Sequence, residues 1–259
     1  MKYRSIIAVS LFAACVVMAG CKKNTYKVTE HTSNDGMAQV KIGYFAAYTV
    51  LPSTILYING AAVSSVITAP YPYPGGGFNT GGGSTGDYLL VAPGSANIQG
   101  FVPVPATNNI QSKLFEFTAN FDANNFYTFY VTDTGANTQG FALPDTKSSP
   151  DSGFVRLKFV NLMPNVPAID LYKGANNTVA TILATNVAYK AGTNNFDLAI
   201  PTDSFFVRPA GAAASTVPII RRAFAASLLN RRIYTLVARG YNGSAATNLA
   251  PQLSIIVNQ

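Results

Sequence analysis

The chain has 259 residues, 48% of them apolar and 11% charged, with 18 Lys/Arg against 11 Asp/Glu for a net charge of +7. This balance excludes an intrinsically disordered protein and predicts a substantial core. Two cysteines and one histidine are too few for a disulfide framework or a thiolate metal centre.

Lys2 and Arg4 precede an apolar run from Ser5 to Met18, and Ala19-Gly20 lead into Cys21. A basic head, a short apolar run and small residues at the cut describe a secretory signal peptide over residues 1–20. The run falls short of the roughly 20 residues a membrane span needs. A thiol directly after the small pair is similar to the lipobox of bacterial lipoproteins, which implies that Cys21 is acylated and becomes the anchored N-terminus. Polar, aperiodic sequence then predicts a flexible tether over 21–37, about 20–24 Å in average reach.

Beyond the tether the chain repeats itself. Val40-Lys41-Ile42 through Pro52 to Leu56-Tyr57 aligns with Val155-Arg156-Leu157 through Pro167 to Leu171-Tyr172, 115 residues on. Tyr88-x-Leu90-x-x-Pro93 matches Phe196-x-Leu198-x-x-Pro201 at 108, and Phe117 with Phe126-Tyr127-Thr128 matches Phe224 with Ile233-Tyr234-Thr235 at 107. Three blocks in one order predict a tandem duplication. The units are a first repeat over 38–143, a linker over 144–153 and a second repeat over 154–259. Within each, segments such as Lys113–Thr118, Phe126–Val131 and Val155–Phe159 alternate with period two and are punctuated by Gly, Pro, Asn and Asp. The predicted fold is all-β: two tandem Ig-like β-sandwich domains. Ile219–Leu229 also fits an amphipathic helix, but its counterpart in the first repeat favours a strand.

The drop in offset from 115 to 108 places seven extra residues in the first repeat, within Ala69–Tyr88. There Tyr71 and Tyr73 alternate with prolines and Phe78 lies between glycine runs, a pattern that predicts rings held outward for a sugar or a protein partner. A second candidate is basic. Residues 22–151 carry a net charge of −2 and residues 152–259 one of +7, the latter including Arg208, Arg221-Arg222, Arg231-Arg232 and Arg239. Adjacent arginines on a strand face opposite ways, so Arg208, Arg222 and Arg231 are candidates for an anion-binding row.

Catalytic signatures are thin. His31 falls in the tether. Gly82-Gly83-Ser84-Thr85-Gly86 fits a nucleophile elbow and Gly81–Gly86 a dinucleotide loop, without the helix or the histidine base those need. Glu116 is the body's one glutamate, and Asp122, Asp133, Asp145 and Asp151 sit in turn-like sequence. Asp170, within a strand-like run, is expected to bond backbone near the Pro164–Pro167 turn. No metal, cofactor or catalytic residue is expected, and nucleic acid is an unsuitable partner for an exported, anchored protein.

Val155-Arg156-Leu157-Lys158-Phe159, then Pro164, Pro167-Ala168-Ile169-Asp170-Leu171-Tyr172, and later Tyr189 and Gly192, resemble the bacterial domain-of-unknown-function 4397 family. The resemblance runs over 155–243. The first repeat shares it through its likeness to the second, with Ile55 in place of Asp170. It implies an extracytoplasmic all-β domain without an established activity. The expectation is therefore a non-catalytic binding or structural module, lipid-anchored at the outer membrane and facing the periplasm, with an envelope glycan, a polyanion or another envelope protein as partner. An adhesin or assembly subunit, and a carboxylate-based glycan hydrolase, are the alternatives.

Overall fold

The computed structural model describes residues 34–104, 110–176, 178–200, 203–213, 215–223 and 228–259. Its first half contains β1 (Ala38–Tyr44), β2 (Ile55–Ile58), β3 (Ala61–Ala62), β4 (Tyr71–Tyr73), β5 (Gly77–Phe78), β6 (Leu89–Val91), β7 (Gly94–Pro103), β8 (Ile110–Phe121), β9 (Phe126–Thr132) and β10 (Gln139–Asp145). The second half contains β11 (Phe154–Leu162), β12 (Ala168–Gly174), β13 (Ala180–Ala188), β14 (Phe196–Ala199), β15 (Ser204–Pro209), β16 (Ile220–Arg222), β17 (Ile233–Arg239) and β18 (Gln252–Val257). The fold is all-β, as the alternation predicts.

Four open sheets result among the described residues. Sheet I runs β3-β2-β7-β8, sheet II β10-β9-β1-β4 with β6 also on β1, sheet III β14-β11-β17-β18-β5, and sheet IV β13-β12-β15-β16. Apart from the short β4 and β5, the halves match strand for strand, each with one parallel pair, β1 with β9 and β11 with β17. Each half encloses a core between its two sheets. Val40, Ile42, Leu56, Ile98 and Phe129 fill the first, and Leu157, Phe159, Leu171, Val207 and Leu236 the second.

A third apolar layer joins the halves. Tyr130 of β9 and Phe141 of β10 pack with Val160 of β11, Val237 of β17 and Ile256 of β18. Sheets II and III therefore have both faces covered, and β17 is buried at every position. The order is sheet I, II, III, IV, and residues 34–259 form one compact unit.

Register corrects one detail of the repeat alignment. Val40 stands opposite Tyr127, whereas Leu157 stands opposite Tyr234. Because Tyr127 and Tyr234 correspond, β11 has slid two residues from the ungapped match. A two-residue slip keeps every side chain on its face, so the hydrophobic pattern could not reveal it. Its consequence is that Lys158, not Arg156, is the counterpart of Lys41. Of the ambiguous Ile219–Leu229 stretch, Ile220–Arg222 is strand, paired with β15, and residues 224–227, with Phe224, lie outside the described residues. So do the signal segment, Cys21, His31 and the tether up to Ser33. The last tether residues are docked: Asn124 Oδ1 accepts from the Gly36 amide and the Asn124 amide donates to Met37 O.

A candidate ligand cleft where the two halves meet

The inserted segment Ala69–Tyr88 is a clasp rather than a projecting loop. Its first limb, β4, pairs with β1, setting Tyr73 against Ile42 and Tyr71 against Tyr44. Its second limb, β5, crosses to the other half and pairs with β18, setting Phe78 against Ile255 and Gly77 against Ile256. The glycines permit this approach: a Cβ on Gly77 would lie 1.7 Å from Ile255 O, and one on Gly76 1.3 Å from Gly83 O. Tyr71 and Tyr73 are half-buried against the first core, with Gly81 and Gly82 lying over the Tyr71 ring. Phe78 packs on the second core, its ring 6.4 Å from that of Tyr234. The rings face inward, contrary to the outward display read from the sequence, because the prolines alternate along a strand that has a partner.

Beside the outer ends of its two limbs, at Ala69-Pro70 and Asn79-Thr80, the clasp borders a cleft of about 320 Å³. Phe45–Ala47 and Leu51, after β1, form one wall together with Ala69-Pro70. Asn79-Thr80 of the clasp and Thr247, Asn248 and Gln252 of the second half form the other, and Asn248 Nδ2 donates to Thr49 O at 3.0 Å across the gap. Arg239, at the end of β17, is the charged group in this lining. Its Nε donates to Ser254 Oγ (2.7 Å), and its Nη2 to Gln252 Oε1 (2.8 Å) and Asn79 O (3.4 Å). All three acceptors are neutral. Burial, reinforced by the charge of Arg222, pulls its pKa down from 12.5 to about 10.

A second cleft, of about 330 Å³, adjoins the first across Asn79 and Gln252, which line both and are hydrogen-bonded at 2.7 Å. Arg221 and Arg222 of β16 supply its charge, and neither lining holds a carboxylate among the described residues.

The arginines singled out in the sequence thus separate. Arg222 reaches the second cleft. Arg208 is 0% exposed, with its guanidinium 4.5 Å from the Tyr172 ring centre and its Nε donating to Thr216 O; it is an internal cation and cannot join a surface row. Arg231 occupies an exposed left-handed turn at φ 62° and lines neither cleft. Asn79, Thr80, Thr247 and Asn248 carry no signal in the sequence, being amide and hydroxyl residues in loops, and neither does Gln252 at the start of β18.

The carboxylates are held by local partners. Asp122 accepts from the Tyr127 hydroxyl, Asp133 from the Thr134 amide and the Tyr241 hydroxyl, and Glu116 from Asn97, Gln99 and Lys113. Asp170 does bond backbone, but at the Asn186 and Gly211 amides rather than near Pro164–Pro167, since β12 carries it past that turn. Asp145 ends β10 and belongs to the junction between sheets II and III. Its Oδ2 accepts from the Thr128 and Tyr88 hydroxyls, and its Oδ1 lies 3.8 Å from Lys158 Nζ. Asn258 occupies the matching place, accepting from Thr235 and donating to the Tyr88 hydroxyl. Among the described residues no three His, Cys, Asp or Glu side chains cluster as metal ligands, and no helix is long and apolar enough to cross a membrane.

A search of curated proteins returns no match. A family model, Domain of unknown function (DUF4397), matches residues 38–172, which is the first half together with β11 and most of β12. The match therefore lies chiefly on the copy whose likeness to the family had been indirect. Spanning more than half of the 259 residues, it shows that the chain belongs to the DUF4397 family.

Proposed function

We propose that this chain is an extracytoplasmic binding module, anchored through acylated Cys21 to the periplasmic face of the outer membrane, that takes an envelope ligand into the junction cleft without chemical change. The observation that carries this reading is the construction of the cleft: both halves and the clasp contribute walls, and a buried arginine with neutral partners lies within it. A cleft of about 320 Å³ falls at the lower end of small-molecule sites, roughly 300–1,000 Å³, and mixed apolar and convergent polar walls are typical of them. The proline-spaced tyrosines do not favour an adhesin reading, because their rings are committed to the core.

The test is binding of cell-envelope polysaccharide fractions to the immobilised protein and to Thr247→Trp. Thr247 is exposed and lines the cleft, so an indole there fills the site without disturbing the core. A loss of affinity of at least tenfold is expected. Equal binding by the two proteins would remove the cleft as the site.

A further inference from the structure

Resting on the junction cleft as the binding site, we infer that its ligand is an acidic glycan, with one uronic-acid carboxylate meeting Arg239 and the next anionic unit meeting Arg222. Charge is the first argument. The ionic side chains lining the two adjoining clefts are Arg239, Arg221 and Arg222, so among the described residues the linings are wholly cationic.

Desolvation is the second. Arg239 is 7% exposed, and its hydrogen bonds end on a hydroxyl, an amide and a backbone carbonyl. A buried guanidinium without an opposite charge bears an uncompensated solvation cost, which an entering carboxylate offsets through charge-assisted bonds.

The remaining lining says what carries the carboxylate. Asn79, Thr80, Asn248 and Gln252 offer amide and hydroxyl groups, and the Thr80 hydroxyl oxygen is buried with no hydrogen-bond partner. Ala47, Leu51 and Pro70 supply an apolar wall. Hydroxyl partners on one side and a surface for C–H groups on the other match a sugar ring. Adjacency of the second cleft extends the site to a chain of sugars rather than a single one. A divided site of this kind reads successive units: the deeper arginine fixes the register, and the outer one adds affinity through charge.

The experiment is calorimetric titration of the folded protein with tetragalacturonate, with its methyl ester and with free galacturonate. Tetragalacturonate should bind, the ester at least tenfold more weakly, and free galacturonate measurably but below the tetramer. The substitution Arg222→Gln should weaken the tetramer severalfold and leave free galacturonate unchanged, because the deeper contact survives. Arg239→Gln should abolish both; if it fails to fold, Arg222→Gln still provides the test. Equal binding of ester and acid, abolished by Thr247→Trp, would overturn the acidic ligand and leave the cleft reading standing. Acid binding unaffected by Thr247→Trp would overturn both. Absence of tetragalacturonate binding would overturn this inference alone, since the polysaccharide fractions test the cleft independently. Equal affinity for monomer and tetramer would reduce the ligand to a free carboxylate and overturn the chain.

Discussion

Lys41 is 0% exposed, and its ammonium donates to Val257 O of the other half while lying 4.7 Å from the Tyr88 ring centre. Lys158 makes the counterpart bond, to Pro144 O. Each lysine therefore reaches from its own half to the last strand of the other. Burial is the chief cause that pulls the Lys41 pKa from 10.5 to about 8, and it lowers those of Lys158 and Lys147 as well. The linkage follows directly. Between pH 8 and 10.5 the unfolded chain keeps the Lys41 proton that the folded protein has released, so the Lys41 contribution to stability rises with pH across that window and is flat below it. A shift of this size corresponds to about 3 kcal/mol. Denaturation at pH 7 and pH 10 should show wild type gaining about 2–3 kcal/mol relative to Lys41→Met. The comparison cancels the other lysines and the buried Tyr88 and Tyr130, whose pKa values burial raises and whose effect runs the opposite way above pH 10. A pH-independent difference between the two proteins would mean that Lys41 is not buried at the junction. The lysines also mark where the sequence stops being legible. Lys41 and Lys158 alternate with core residues as solvent-facing side chains do, and a strand pattern reads the same whether an amine meets water or a carbonyl.

Among elements, the clasp was the least legible. Its position followed from the change in repeat offset, and its glycines and prolines marked it as special. Its path did not follow, because the partner of β5 is β18, some 180 residues later, and pairing at that separation leaves no local trace. Phe78 is an instance: bracketed by glycines it reads as exposed, yet it lies over Tyr234 of the other half. The strands of the sandwiches were legible because alternation is local. Gly77→Ala tests the clasp. The added Cβ meets backbone, which cannot swing aside, so β5 should leave β18 and the protein should lose about 2–4 kcal/mol in denaturant. The Val257 amide, which donates to Gly76 O, should then exchange its hydrogen markedly faster. Unchanged denaturation and unchanged exchange would show that the clasp is not seated there.

For the molecule as a whole, two sandwiches with their own cores would be separable if they met only through a linker. Here Tyr130, Phe141, Val160, Val237 and Ile256 form a shared layer, and full burial of side chains of this size contributes roughly 1.5–3 kcal/mol each. Lys41, Lys158, Asp145 and Asn258 bridge the same layer, and the clasp crosses its edge. The junction that holds the halves together is also what forms the cleft, so cooperativity and the proposed binding have one structural origin. The most direct measurement is equilibrium unfolding of residues 34–259, followed by far-ultraviolet circular dichroism and, in a chain without tryptophan, tyrosine fluorescence. One transition, coincident by both probes, is the result expected of a single four-layered body. Two separated transitions would show that the halves fold independently, and would contradict a ligand site built from both.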